Sequence, residues 1–285
     1  MEVLMNELSL EGQFTDLNEF LNSLREFILI QKIMDAAQIK LLKHYNLLNE
    51  KVTVSHSLHA VLTDNSIKTT SEIRRFKIYL KRLLSDPSFW HENQFHKQSD
   101  RYTCKFTDKT HDYSLAEACE RDRRVLSFEN KKFKDNTIVI EKNNAEVMTL
   151  LNFHNAQSLS EILFEENAIN EKDYCDVRFV ETNLSFDHLD ENFSFGILNY
   201  EEKRQFISTF KMFSEMSWDD ILNHDGLDYK PYTPSGQSWF ENTPFHNTKI
   251  YKFRTSQKLR CFGFREEDIF YVLRFERDHK ISDKG

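Results

Sequence analysis

Three segments near the C-terminus constrain the fold more than any other feature of the chain. Lys249 to Arg254, Leu259 to Phe264 and Ile269 to Phe275 alternate apolar with basic or polar residues. They are joined by short polar turns, Thr255-Ser256-Gln257-Lys258 and Arg265-Glu266-Glu267-Asp268. Period-two patterning with connections this short predicts an antiparallel β-meander. Ahead of it, Asn199 to Met216 places Phe206, Ile207, Phe210 and Phe213 at helical spacing, and Ser217 opens a second short helix, Trp218 to Asn223. A Pro- and Gly-bearing loop, Asp225 to Asn247, separates helices from strands.

The rest of the chain reads as mixed α and β. Val3 to Leu10 is expected as a strand, followed by a helix capped by Thr15 with Leu17, Phe20, Leu21, Leu24 and Ile28 on its apolar face. Ile39 to Leu48 fits strand or helix, and Ser55 to Leu62 a short helix. Thr69 to Ser85 gives the clearest helical pattern. Thr69 and Glu72 form a capping box there, Ile73, Phe76, Leu80, Leu83 and Leu84 an apolar stripe, and Asp86-Pro87 a stop. Ser88-Phe89-Trp90 is expected to pin the following loop. Strands are predicted at Arg101 to Phe106, Val125 to Phe128, Thr137 to Glu141 and Asp176 to Glu181. Capping boxes at Ser114/Glu117 and Ser158/Glu161 predict two more short helices. Short strands among helices argue for an α+β architecture. The polar stretch Glu166 to Asp173 suggests two domains, 1–172 and 173–285.

Composition narrows the function. Only 6 Gly and 4 Pro occur in 285 residues, which excludes collagen-like and Gly-rich phosphate-loop readings. The hydrophobic share of 39% supplies a core. The net charge of −8 is unevenly spread: Phe245 to Gly285 holds ten Lys/Arg against six Asp/Glu, whereas the preceding residues hold 28 against 40. Cys104, Cys119, Cys175 and Cys261 are too far apart for a zinc knuckle, and a reducing cytoplasm suits them. The N-terminus lacks the basic start and cleavage site of a signal peptide, and no apolar run approaches membrane-spanning length. A cytoplasmic protein with no membrane contact is therefore expected.

Weaker patterns favour ordinary structure. In His91-Glu92-Asn93-Gln94-Phe95-His96 the histidines stand five apart, one residue too far for a zinc-protease helix. His56 and His59 can share a helix face, but a half-buried polar pair is the commoner meaning. No metal site and no cofactor are expected.

The basic tail carries the functional signal. Lys252 and Arg254 fall on one face of the first strand, with Tyr251 and Phe253 between and beside them, and basic residues recur at Arg260, Arg274, Arg277, His279 and Lys280. Basic and aromatic residues interleaved on a sheet suit RNA. The order helix–helix–meander, with K-I-Y-K-F-R, K-L-R-C-F-G-F, I-F-Y-V-L-R-F and a closing R-D-H-K, resembles the RelE/ParE superfamily of bacterial toxins over about residues 173–285. The first 170 or so residues match no family pattern we recognise.

That resemblance implies an RNA-binding or metal-independent RNA-cleaving protein in a toxin or anti-phage setting. It implies RNA or the ribosome as target and a protein partner, an antitoxin or complex subunit. Arg260, Arg277 and His279 would be the catalytic group, His279 as acid or base and the arginines on the phosphate. Lys249, Lys252, Arg254, Lys258 and Lys280 would hold RNA. Glu266-Glu267-Asp268, Glu276 and Asp278 depart from such a basic surface. The competing expectation is a non-enzymatic complex subunit that docks a partner through the sheet edge and the loop Trp239-Phe240.

Overall fold

The computed structural model describes residues 1–64, 70–71, 73–78, 89–108, 110–234 and 236–281. The chain is α+β and divides into two compact units, Met1–Ile169 and Asn170–Gly285. No helix among the described residues is long and apolar enough to cross a membrane.

The first unit is built on a six-stranded sheet in the order β2-β1-β4-β6-β5-β3. Its strands are β1 (Glu2–Met5), β2 (Lys40–Leu42), β3 (Tyr102–Cys104), β4 (Arg124–Leu126), β5 (Thr137–Lys142) and β6 (Glu146–Phe153). β2, β1, β4 and β6 run parallel, while β5 pairs antiparallel with both β6 and β3. After the charged residues that open them, Glu2 and Arg124, the central parallel strands are apolar: Val3, Leu4, Met5, Val125 and Leu126 are all buried. The expected strand Val3 to Leu10 therefore ends at Met5, and Glu7–Ser9 turns as a 3₁₀ helix.

Helix α1 (Leu17–Ala36) buries Phe20, Leu24, Phe27, Ile30, Ile33 and Met34. Its cap is Asp16, whose carboxylate accepts the Glu19 amide at 2.9 Å, rather than Thr15. Phe27 stacks on Phe128 at 4.5 Å, and Phe76 meets both rings edge-on. Residues 73–78 are helical, with Ile73 and Phe76 buried. The Thr69/Glu72 box, Leu80, Leu83, Leu84, Ser88 and the Asp86-Pro87 stop lie outside the described residues. The remaining helices of this unit are α2 (Leu58–Thr63), α3 (Ser114–Cys119) and α4 (Ala156–Glu165). Asn155, one turn earlier than the expected Ser158, caps α4.

Ser114 and Glu117 do not form a capping box. The α3 N-cap is Tyr113, without a side-chain bond. Both residues instead reach distant segments. The Ser114 hydroxyl donates to Glu7 and accepts the Trp90 indole N–H at 2.7 Å, which anchors the Trp90 loop to the core. Glu117 accepts the Phe95 and His96 amides, the His96 ring at 2.7 Å and the Arg121 guanidinium at 2.5 Å.

The second unit starts with α5 (Glu171–Arg178), capped by Asn170. The expected strand Asp176 to Glu181 is thus corrected to the end of a helix. Tyr174, Cys175 and Val177 face the core, and Lys172 bonds Asp176 one turn on at 2.6 Å. Helices α6 (Tyr200–Glu215) and α7 (Trp218–Asn223) follow, each with a true capping box. The five-stranded sheet has the order β7-β11-β10-β9-β8: β7 (Leu184–Ser185), β8 (Lys230–Pro231), β9 (Ile250–Arg254), β10 (Arg260–Glu266) and β11 (Ile269–Glu276). β9, β10 and β11 form the antiparallel meander. A bulge interrupts the β10–β11 register between Phe262 and Gly263, and a Cβ at Gly263 would run into the Tyr271 carbonyl and the Phe270 ring. Glycine is required there.

One face of the meander is sealed by α6. Phe206 stacks on Phe275 at 4.3 Å and Phe213 on Phe253 at 4.9 Å, while Phe210 lies between Phe253 and Phe275. Phe210 is fully buried, so Phe210→Ala is expected to cost about 3–5 kcal/mol in denaturant melts. A loss below about 1 kcal/mol would contradict this packing.

Glu7 supplies a pH test of the first unit. Burial raises its pKa to about 7, against the opposing pull of bonds from Ser114 and the His44 amide. The folded state then holds a proton that the unfolded state releases near pH 4.5. This stabilisation is complete below that pH and lost as pH rises through 7, a total of about 3 kcal/mol. Glu7→Gln is expected to abolish that part of the decline between pH 5 and pH 8 in urea titrations.

Candidate nucleic-acid interface

Because Phe253, Cys261 and Phe275 point towards α6, their neighbours in sequence point away from it. Strand register arranges these outward residues in rows. Lys230 pairs with Lys252, Lys252 with Phe262, and Phe262 with Arg274. Next to that row, Arg254 pairs with Arg260 and Arg260 with Glu276. Residues directly paired across strands share a face, so four basic side chains, Lys230, Lys252, Arg254 and Arg260, gather on adjacent strands.

Their surroundings are mixed. Lys252 is only 4% exposed. Burial, then the charge of Lys230, pulls its ammonium below the ordinary lysine value, with Arg260 adding to the shift and Glu276 and Asp228 opposing it. Asp228 accepts Lys230 at 2.8 Å and Arg254 at 3.3 Å. Burial works to raise the Asp228 pKa, but Lys230 and Arg254 outweigh it and hold the carboxylate low. Arg254 and Lys230 remain 40% and 50% exposed along their side chains, so both reach solvent. One Arg260 nitrogen donates to the Ser256, Gln257 and Leu259 carbonyls at 2.7, 3.2 and 2.9 Å, locking the β9–β10 turn.

The other expected site residues scatter. Lys258 is exposed in that same turn. Arg277 bonds Glu202 of α6 at 2.7 Å, on the helix side of the sheet. Lys249 is exposed, with its ammonium 5.2 Å from the Tyr251 ring, which stacks on Tyr229. His279 follows β11 with φ +60°, and Lys280 pairs with Asp278 at 2.5 Å. Arg260, Arg277 and His279 are therefore distributed over two sides of the sheet and the turn after it. Lys230 was missed by sequence reasoning, because a two-residue strand carries no periodic signal.

Arg274 has a separate role. Its guanidinium bonds Asp190 at 2.8 Å and the Trp239 carbonyl at 2.6 Å. It also lies 4.6 Å from the Phe193 ring and 5.1 Å from those of both Trp239 and Phe240. These contacts hold the loop before β9 against the outer sheet face. Phe240 is buried and Trp239 half-buried in this arrangement, so the aromatic pair serves the unit's own core.

No family model matches the chain, and no curated protein or solved structure matches it.

Arg274→Ala should cost about 2–3 kcal/mol. That is less than the loss of a fully buried pair, because Asp190 keeps some contact with water. The unfolding midpoint in urea, read beside the loosening of Trp239 fluorescence, checks it.

Proposed function

We propose that the Asn170–Gly285 unit binds RNA at the outer face of its meander, with the solvent-reaching Lys230 and Arg254 on the phosphates and the buried Lys252 and Arg260 adding positive charge behind them. The observation carrying this reading is the clustering of four basic residues on one face of adjacent strands, two of which, Lys230 and Arg254, reach solvent. Such an excess of positive charge attracts a polyanion, and partial burial strengthens the attraction. The resemblance of the meander motifs to RelE/ParE toxins points to the same class of ligand and to a toxin-like setting.

Binding fits the geometry better than cleavage. A metal-independent cut needs a base, an acid and phosphate-stabilising cations around one reacting group. Arg277 stands with Glu202 on the helix side, and Arg260 has a nitrogen engaged by its own turn. The docking-subunit reading is less favoured, since Trp239 and Phe240, part of its expected surface, clasp Arg274 instead.

The test is fluorescence anisotropy of the full chain with labelled single-stranded RNA between 50 and 200 mM salt. Replacing both Lys230 and Arg254 by Ala should weaken binding and shallow the log–log salt slope by about 1.4, the value for two lost phosphate contacts on a single strand. Lys249→Ala, at a residue beside Tyr251 on the opposite side, should leave the slope as it is. An unchanged slope in the double variant would refute the proposal.

A further inference from the structure

Beside the cationic patch, the same sheet face carries a group of aromatic rings. Phe264 and Tyr271 are cross-strand partners and stack at 4.8 Å with an 11° interplanar angle. Phe245 lies 5.5 Å from Phe264. The exposed His188 ring lies over all three, 5.5 Å from Phe245, 6.0 Å from Phe264 and 5.6 Å from Tyr271. Next to them a cleft of about 320 Å³ is lined by His188, Phe245, Arg274 and the exposed Asn242.

The composition of this cleft suits a flat, heteroatom-rich ring. Phe245 and His188 offer ring faces at its wall, and Asn242 carries both a donor and an acceptor for a base edge. Its volume is at the small end of the range for ligand sites, with room for a nucleobase. Position links it to the cations: Arg274 at its rim is in the same row as Lys252, two strands and so about 10 Å away. A backbone held at the solvent-reaching Lys230 and Arg254 can pass over the covering loop and deliver a base into it.

We infer that this cleft accepts an unstacked base, which makes single-stranded RNA the ligand class. The inference rests on the phosphate-binding reading above. Stacking on side-chain rings needs a base free of its own helix, so duplex RNA cannot use the cleft.

The test compares three labelled RNAs on the full chain at fixed salt: a ten-residue oligouridylate, the same oligomer with abasic positions, and a duplex of equal length. The intact single strand should bind about tenfold more tightly than the abasic one. Phe245→Ala should remove that difference while keeping the salt slope. Asn242→Ala, at an exposed residue whose loss spares the core, should alter the preference among oligouridylate, oligocytidylate and oligoadenylate. Equal binding of intact and abasic strands, with a normal salt slope, would overturn the base cleft and leave phosphate binding standing. No binding of any RNA at 50 mM salt would overturn both.

Discussion

The phenylalanine contact between α6 and the meander governs the second unit. Phe206, Phe210 and Phe213 are buried against Phe253, Phe270 and Phe275 of the meander, and that choice fixes the facing of the other strand residues. Shifting one strand by a residue would send Phe253 to the outer face and Lys252 into the helix interface. Burial of a phenylalanine is worth roughly 2–3 kcal/mol, and burying an ammonium in an apolar interface costs more. The cations are therefore directed to the outer face by the packing of their apolar neighbours. Gly263 lets β10 and β11 keep this facing across the bulge, since the space a side chain would take belongs to Tyr271 and Phe270.

Charges on that outer face are stabilised in two ways. Arg274 sits among three aromatic rings with Asp190 as counter-ion, so it is satisfied internally and holds the loop in place. Lys252 and Arg260 are also buried, whereas Lys230 and Arg254, which pair with Asp228, reach solvent. An internal lock uses up its charge. Side chains that reach solvent, as those of Lys230 and Arg254 do, keep part of their charge facing outward, and this separates them from a fold-holding arginine.

The sequence made this unit legible where patterns were local. Helix α6, helix α7 and all three meander strands follow from the spacing of their apolar residues and from Asn199 and Ser217 as caps. It was less legible where partners are distant. Asp176 to Glu181 alternates like a strand, yet Asn170 starts a helix whose buried residues are Tyr174, Cys175 and Val177. Ser114 and Glu117 have the spacing of a capping box, yet Glu7, His96 and Arg121 claim them. Strand β6 went unread, although Asn143 and Asn144 mark its hairpin, both at positive φ. In the candidate interface, alternation placed Lys252 and Arg254 together, but only strand register brings Lys230 beside them. Sequence could not show that Arg277 belongs to Glu202.

The two buried carboxylates of the first unit show how donor chemistry decides the state of an acid. Glu7 receives only neutral donors, the Ser114 hydroxyl and backbone amides, and burial prevails to raise its pKa. Glu117 is as fully enclosed along its side chain, but the His96 ring and the Arg121 guanidinium join two backbone amides around it. Those bonds outweigh burial and keep its pKa low. A lone buried acid bonded to neutral groups loses its contribution to stability as pH rises through neutrality, whereas one that recruits a guanidinium keeps its contribution there. The same rule, with signs reversed, applies to Lys252: burial and the neighbouring Lys230 and Arg260 pull its ammonium below the ordinary lysine value, while Glu276 and Asp228 oppose the shift.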